Sequence, residues 1–422
     1  MQIIENNLIK EKVYIEKLES GITLMCIPKE KTIKKYAICG IGFGSNDNNF
    51  FISKENKEIK IPDGVAHFLE HKLFEQEDGK NSLDILSALG IDANAYTTND
   101  HTAYLFECTK NFYDGLDELL RYIQNPYFTY ENVEKEKGII AQEIMMYDDE
   151  AEWKVYINAM KAMYEKNPIR IDVAGSVESI QKIDKDILYE CYNNFYVQSN
   201  MVIVICGDFE PEIVFSEIKK RLKKNKKVTA KRIEGKEPLN IKEKEIEEKM
   251  DISIPIFAFG FKVNPEEKEK VKRTLSIEIL LEIIFGQSSE LYEQLYKEGI
   301  IFSDISSSFE WARNYAHILI QGKSHNIELV EKKLLDKIQE LKENGINEKE
   351  FERAKRKLYG IYVKEFNEVD TTSTMFITNY FKQINPFDYI ENYKIISKEY
   401  TENVLKEVFV EENMVKSSIK PN

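Results

Sequence analysis

The segment GVAHFLEHKLFE, residues 64–75, decides how this chain is interpreted. Its apolar residues and the turn-forming residues before it predict a helix over about 65–75. On a helix, His67 and His71 lie one turn apart and point the same way. Glu70 lies three residues after His67, on the flank of the same face. Two imidazoles can therefore converge on one point, with a carboxylate beside them.

These residue types in this spacing are typical of a catalytic metal centre. Zinc prefers histidine nitrogens and a carboxylate oxygen, and catalytic zinc sites keep one position open for water. The metal lowers the pKa of that water, and a nearby carboxylate accepts its proton, which makes Glu70 the candidate catalytic base. We expect one Zn²⁺ per chain, bound by His67 and His71. The alternative is a helix with two surface histidines beside an acid.

A third protein ligand is needed, and a second predicted helix offers two candidates. The helix starts near Thr129 and carries Glu136 and Glu143. They are two turns apart, about 10.5 Å, so both lie on one face. One can bind zinc while the other supports the histidines through a hydrogen bond. Spacing does not choose between them, and a solvated acidic face is the alternative, which Glu131 and Glu134 fit.

Further motifs resemble those of the pitrilysin and insulinase peptidases, whose metal motif has the inverted order His-x-x-Glu-His. The resemblance covers almost the whole chain and is strongest over residues 20–210. At about 420 residues the chain resembles the short, two-domain bacterial members, which work as dimers, and it is similar to the mitochondrial processing peptidases. The segments that carry the resemblance are His67–Phe74, Asn94–Thr97, Thr102–Phe106, Glu136–Ile144, Asn167–Ile180 and Tyr196–Asp208.

The resemblance implies an activity and roles for named residues. In that family the second Glu of the pair binds zinc, which implies Glu143 as the ligand and Glu136 as the supporting acid. It also implies that Asn94, with Ala95 and Tyr96 on the same strand, holds the substrate backbone, because an extended peptide adds to an exposed strand edge. The implied activity is a zinc metalloendopeptidase that hydrolyses short or unfolded peptides in an enclosed chamber. The alternative is a non-catalytic scaffold or binding subunit with the same fold.

One departure from the family pattern indicates a partner subunit. Family dimers carry an Arg and a Tyr, seven residues apart in the C-terminal half, that grip the substrate. Glu298 and Ile305 stand at those positions here, while Arg313 and Tyr315 have the wrong spacing. We therefore expect a homologous partner subunit to supply the pair in a heterodimer, with a homodimer as the alternative.

Repetition along the chain predicts two similar α+β domains, each an antiparallel sheet with helices packed on one face. Residues 126–144 and 344–366 both have a turn, an acidic helix start and a long amphipathic helix. We predict an N-terminal catalytic zinc domain at 1–225, a charged linker at 226–250 and a C-terminal non-catalytic repeat domain at 251–422.

Local patterns predict the elements around the site. Residues 45–60 look like a disordered insert, and His101 is expected at the surface of a hairpin turn. For His317 and His325 we expect ordinary packing or solvent exposure. Helices are predicted at 81–89 and 112–123, and strands within 21–42 and at 94–98 and 102–108.

Composition excludes several classes of partner. The formal net charge is −14 and the isoelectric point about 5.2, which argues against binding to nucleic acid or to an anionic membrane. The apolar run at 201–206 is far too short to span a membrane, and the N-terminus lacks the features of a secretory signal. Five scattered cysteines without a Cys-x-x-Cys pair indicate buried or free thiols in a reducing cytoplasm.

Overall fold

The structure is a computed structural model, and it describes residues 1–52, 56–223, 230–265, 268–303 and 305–422. None of the helices in these ranges has the length and apolar character needed to cross a membrane. The strands are β1 (Gln2–Asn6), β2 (Glu11–Lys17), β3 (Thr23–Pro28), β4 (Lys35–Ile41), β5 (Asn49–Ile52), β6 (Lys57–Lys60), β7 (Asp92–Thr97), β8 (Thr102–Cys108), β9 (Met201–Gly207), β10 (Ala230–Arg232), β11 (Glu245–Met250), β12 (Ile256–Lys262), β13 (Ser306–Trp311), β14 (Ala316–Lys323) and β15 (Met414–Pro421). The helices are α1 (Val65–Lys72), α2 (Ser82–Ala88), α3 (Phe112–Ile123), α4 (Tyr130–Asp148), α5 (Ala151–Met163), α6 (Val177–Ile180), α7 (Lys185–Phe195), α8 (Pro211–Arg221), α9 (Lys270–Phe285), α10 (Glu290–Lys297), α11 (Ile327–Asn344), α12 (Glu348–Glu365), α13 (Val369–Lys382), α14 (Phe387–Ile395) and α15 (Lys398–Val408).

The chain forms two compact units, and each is assembled from three separate segments. Unit 1 consists of Met1–Ile144, Asp172–Glu234 and Val363–Phe387, and unit 2 of Met145–Ile171, Gly235–Tyr362 and Asp388–Asn422. These units differ from the continuous ranges predicted, 1–225 and 251–422. The physical reason is that a helix from each half of the sequence packs on the sheet of the other half. Helix α13 contacts β4 and β9 within unit 1, and α5 contacts β12 and β15 within unit 2.

The main sheets of the two units share an arrangement of five strands. The shared order is β3-β9-β4-β8-β7 in unit 1 and β11-β15-β12-β14-β13 in unit 2. In unit 1 the strands β1 and β2 extend the sheet beyond β3, in the order β1-β2-β3. In both, the first of the five strands along the chain runs parallel to the last, β3 to β9 and β11 to β15. The other neighbours are antiparallel. The predicted α+β fold with two similar domains is confirmed, and each sheet gains one parallel pair because its last strand returns after the helices.

Both faces of the central strands in unit 1 are covered. One face shares an apolar core with α1, α3 and α7, through residues such as Ile205, Phe68 and Leu116. The opposite face of β4 lies against α13: a Cβ atom at Gly40 would come within 2.9 Å of the Phe381 ring, so glycine leaves the space that the helix occupies. Because helices cover both sides, β9 is buried along its whole length and shows no polar alternation.

The predicted elements around the site are present with small shifts in their ends. Helix α3 has the predicted bounds, and α2, β7 and β8 lie within two residues of them. Helix α1 ends at Lys72, earlier than the predicted residue 75. It begins after Gly64, whose φ of 93° favours glycine and where a Cβ atom would lie 2.4 Å from the Ala174 carbonyl oxygen.

The predicted disordered insert at 45–60 is wrong for the residues that the structure describes. Strands β5 and β6 form a hairpin there, joined by β10 in a three-stranded sheet. Phe50 is fully buried and its ring contacts Phe195 edge-on at 4.9 Å. This aromatic anchor gives the hairpin an apolar face, which the polar composition of the segment conceals. Residues 53–55 lie outside the described residues.

The predicted charged linker at 226–250 contains two strands. Strand β10 pairs with β5 in unit 1, and β11 pairs with β15 at the edge of the sheet of unit 2. Alternate residues of β11 are exposed, as expected for an edge strand with one solvated face. Residues 224–229 lie outside the described residues.

Candidate metal centre

The structure brings together the two histidines and one of the two candidate glutamates, all within unit 1. The rings of His67 and His71 lie one turn apart on α1, with centroids 4.6 Å from each other. The Nε2 atom of His67 is 3.7 Å from Oε1 of Glu143, and Nε2 of His71 is 3.5 Å from Oε2. The possible ligand atoms of these three residues all lie within 4.8 Å of one another.

Helix α4 presents Glu136 and Glu143 to different atoms of the histidines. Val133 and Ile140 are buried and fix the face of α4 that packs on the core. Glu136 places Oε1 3.1 Å from Nδ1 of His71, while Glu143 faces the Nε2 atoms. The geometry thus gives the two acids the separate positions that a ligand and a supporting residue need.

The chemistry of these donors fits a zinc ion. Two imidazole nitrogens and one carboxylate oxygen converge, which is a protein ligand set of catalytic zinc sites that leaves a position for water. Because Nδ1 of His71 faces Glu136, its Nε2 is free to bind a metal. Among the described residues, no other group of His, Cys, Asp and Glu side chains comes together in this way. The cysteines are buried and free, as predicted.

Glu70 is buried beside the histidines, with 8 % of its surface exposed. Burial raises the pKa of its carboxyl group, and a hydrogen bond from Thr97 opposes that rise. The Thr97 hydroxyl donates to Oε2 of Glu70 at 2.6 Å, which holds one oxygen of the carboxylate. A carboxylate with a raised pKa in an enclosed position is suited to accepting and returning a proton.

Burial and charge act differently on the two histidines. Burial lowers the pKa of His67 to about 3, helped by the neighbouring His71, so its ring is neutral and able to bind a metal. Burial also acts to lower the pKa of His71, but the hydrogen bond with Glu136 and the charges of Glu70 and Glu143 raise it above its usual value. The carboxylates therefore make a site that attracts a cation.

Strand β7, which carries the predicted substrate residues, lies at the edge of the sheet. Asn94 is exposed, and its Oδ1 accepts a hydrogen bond from the backbone N–H of Ala95 at 2.8 Å. Alternation along the strand places Ala95 on the side of the apolar core, and with it Thr97. The Tyr96 hydroxyl is buried and has no hydrogen-bond partner among the described residues.

The prediction that His101 lies at the surface is wrong. Only 4 % of its surface is exposed, and its ring stacks on Phe381 at 4.9 Å. The cause is α13, which comes from the other half of the sequence and covers the hairpin. His317 is fully buried and contacts the Tyr164 hydroxyl, while His325 is exposed, as expected.

Sequence reasoning missed two residues that contact the site. Thr97 contacts Glu70, and Lys72 is fully buried beside Glu136. Both could be found from periodicity, because Thr97 lies two residues after the core-facing Ala95, and Lys72 lies four residues after the buried Phe68.

The positions where the family pattern has Arg and Tyr hold side chains of other kinds. Glu298 is exposed and pairs with Lys333 at 3.4 Å. Ile305 is mostly buried, with 9 % of its surface exposed.

Comparisons with known proteins give matches to peptidase families in both halves of the chain. Residues 54–176 match the family described as Insulinase (Peptidase family M16), and residues 182–358 match the Peptidase M16 inactive domain. The chain is 37 % identical to the zinc protease YmfH of Bacillus subtilis (strain 168), over 99 % of each chain. It is 24 % identical to a mitochondrial-processing peptidase subunit beta of Arabidopsis thaliana, over 47 % of this chain and 38 % of that protein.

A solved structure of similar size matches the whole fold. The M16-like peptidase from Alicyclobacillus acidocaldarius is 30 % identical, with a TM-score of 0.94 over 99 % of this chain and 100 % of that one. Sequence identity and coverage at this level, together with the two family matches, show that this chain is homologous to these peptidases and does not merely share their fold. The chain belongs to the M16 family of peptidases.

Proposed function

We propose that this chain is a zinc-dependent metalloendopeptidase that hydrolyses peptide bonds in short or unfolded peptides. The observation that carries the proposal is the convergence of His67, His71 and Glu143 beside the buried carboxylate of Glu70. A zinc ion held by the first three residues would act as a Lewis acid and make its bound water more acidic. The name zinc protease, which the Bacillus subtilis relative carries, is consistent with this metal.

The chain's own residues supply the proton transfers and the alignment. Glu70 accepts a proton from the attacking water and delivers it to the nitrogen of the leaving amine. Thr97 holds Oε2 of Glu70, which leaves the other oxygen to move the proton. Glu136 holds Nδ1 of His71 and so directs Nε2 of that ring towards the metal.

Strand β7 binds the peptide in this proposal. Among the residues that the structure describes, no strand pairs with its outer edge, so an extended peptide can add to it through main-chain hydrogen bonds. The Asn94 side chain, which now accepts from Ala95, can turn to the substrate backbone when the peptide takes its place. Tyr96 lies on the same strand and contributes through its backbone, because its hydroxyl is buried.

A homologous partner subunit completes the enzyme in this proposal. Glu298 and Ile305 cannot bind substrate as an Arg and a Tyr would, so a partner in a heterodimer supplies that pair and helps to enclose the peptide in a chamber. A homodimer is the alternative assembly, and the cytoplasm is the proposed location. Full peptidase activity of the purified chain without a partner would contradict the heterodimer.

A non-catalytic scaffold of the same fold is the second candidate, since residues 182–358 match an inactive domain. The residues of the candidate metal centre all lie outside that match and inside the match to the peptidase family at 54–176. A scaffold would have no use for a complete ligand set with a base beside it. The position of the two matches therefore favours the peptidase.

The test compares the wild-type protein with Glu70→Gln. Zinc content is measured by elemental analysis, and hydrolysis is measured with a library of quenched fluorescent peptides, alone and with candidate partner subunits. Glu70→Gln should keep zinc and lose about 100- to 10,000-fold in hydrolysis, because it removes the proton acceptor. The exposed Glu58→Gln is the control and should leave both unchanged. Hydrolysis that survives in Glu70→Gln, or a wild-type protein without zinc, would refute the proposal.

A further inference from the structure

Lys72 is a fully buried cation on the same side of α1 as the apolar Phe68 and Leu69. None of its surface is exposed, and the same holds for Phe68 one turn before it and Leu69. An ammonium group loses much hydration free energy in such a place, and it is stable there only when opposite charges meet it. The residues that meet Lys72 therefore indicate what it does.

Two carboxylates meet the Lys72 ammonium, and they differ in what else they contact. Glu75 makes a close ion pair with Nζ, and a third of its side chain is exposed to solvent. Glu136 is mostly buried, with Oε2 3.5 Å from Nζ of Lys72 and Oε1 3.1 Å from Nδ1 of His71. Glu136 thus joins a buried cation to the ring of a candidate metal ligand.

We propose that Lys72 is a positioning residue for the metal centre. Its ammonium fixes one oxygen of Glu136, so that the other oxygen stays directed at Nδ1 of His71 and the ring keeps Nε2 towards the metal. This inference rests on the proposed function. A ring that is already held in place loses less conformational freedom when it binds the ion, which is how residues behind the ligands strengthen metal binding.

The experiment is a double-mutant cycle on the zinc dissociation constant. Wild type, Lys72→Met, Glu136→Gln and the double variant are each titrated against a chromophoric zinc chelator, without any peptide. Met has a similar length and suits an apolar site. Lys72→Met should weaken zinc binding about 10-fold. In the Glu136→Gln background the same change should cost less than about 2-fold, because Lys72 acts through Glu136.

Lys137→Met is the matched control. Lys137 is also a buried lysine of unit 1, but its ammonium contacts Glu134 and the Gln181 carbonyl oxygen. Its replacement should leave zinc affinity unchanged. Thermal unfolding of each apo protein checks the fold, and if Lys72→Met does not fold, Lys72→Gln carries the test: with its N–H donor it should lose less than 10-fold and follow the same cycle.

Three results would overturn the inference. Lys72→Met could bind zinc as tightly as wild type, Lys137→Met could lose as much affinity, or the loss could be the same with and without Glu136. In each of these cases wild type still binds zinc, and the proposed function stands. A wild-type protein that binds no zinc would overturn the proposed function together with the inference.

Discussion

Units 1 and 2 share a sheet topology, but they differ in the polar residues of the helices that follow the strands. Helix α4 is the second helix after β8 in unit 1, and α12 is the second helix after β14 in unit 2. Strands β8 and β14 hold the same position in the two sheets, so the two helices correspond. Counted from the first residue of each helix, Glu136 corresponds to Ala354 and Glu143 to Ile361. One helix carries a candidate ligand and its supporting acid, and the other carries an alanine and an exposed isoleucine.

The contact between the edge strand and its helix differs in the same way. In unit 1 the last residue of β7, Thr97, donates to the Glu70 carboxylate on α1. In unit 2 the last residue of β13, Trp311, donates from Nε1 to the Thr274 hydroxyl on α9 at 3.0 Å. Helix α9 contains no histidine. The comparison teaches that the repeated scaffold supplies the strand-to-helix contact, while a few histidine and glutamate side chains on unit 1 alone form the candidate metal centre.

The largest expected effect comes from giving α4 the apolar character of α12. Glu143→Ala removes a proposed ligand from the converging set, so zinc affinity should fall by more than about 100-fold, beyond the 10- to 100-fold expected for a supporting residue. Chelator competition measures the affinity, and unfolding of the apo protein should change little because the Glu143 side chain is partly exposed.

The reverse change, Ile361→Glu, sharpens the comparison. It should create no zinc site, because α9 offers no imidazole to join the new carboxylate. Zinc binding by Glu143→Ala that equals wild type would mean that another acid completes the set. The separate roles assigned to the two glutamates would then be wrong.

Much of helix α1 could be predicted because its information is local. His67, Glu70 and His71 lie within five residues, and helical periodicity alone places them together. Residue spacing left Glu136 and Glu143 undecided, since both lie on one face of α4. The resemblance to a family separated them, and the distances to Nδ1 and Nε2 agree with that choice.

What could not be predicted depends on residues far apart in the sequence. Nothing near His101 indicates that α13, more than 260 residues later, buries it. The residue that packs on the hairpin predicted as a disordered insert is also distant in the sequence, because Phe50 packs against Phe195. The exchange of α5 and α13 between the units has the same origin, because packing between distant segments leaves no local pattern.

An intermediate effect is expected where the two edge strands meet their helices. Thr97→Val keeps the shape of the side chain and removes the donor to Glu70. A hydrogen bond to a charged group is worth about 1.5–3 kcal/mol, so kcat should fall roughly 10- to 100-fold while zinc stays bound. Thr97→Ser keeps the hydroxyl and should recover most of the activity. Equal kcat values for the Val and Ser variants would show that the hydroxyl has no part in aligning Glu70.

The corresponding change in unit 2, Thr274→Val, should affect stability instead. It leaves the buried Trp311 N–H without its acceptor, at a cost of about 1–3 kcal/mol in the free energy of unfolding. Denaturant titration measures this cost, and zinc affinity and kcat per folded molecule should match wild type. A loss of kcat in Thr274→Val would contradict the expectation that this contact in unit 2 serves stability and has no part in catalysis.

The smallest expected effect concerns a feature that the two units have in common, a buried neutral histidine. Burial lowers the pKa of His101 to about 4 and that of His317 to about 3. The unfolded chain has a histidine pKa near 6.5, so it binds a proton that the folded protein does not as pH falls below that value. Each residue should therefore reduce the free energy of unfolding between pH 6.5 and pH 4, by on the order of 2 kcal/mol.

His101→Asn and His317→Asn test this, because Asn retains a polar group where Nδ1 hydrogen-bonds in each histidine. Denaturant unfolding at pH 6.5, 5.5 and 4.5, with a chelator present so that metal binding does not contribute, should show a smaller loss of stability on acidification in both variants. The exposed His325→Asn is the matched control and should follow wild type. A His101→Asn variant with the same acid sensitivity as wild type would show that His101 becomes charged within the folded unit, which the burial of its ring argues against.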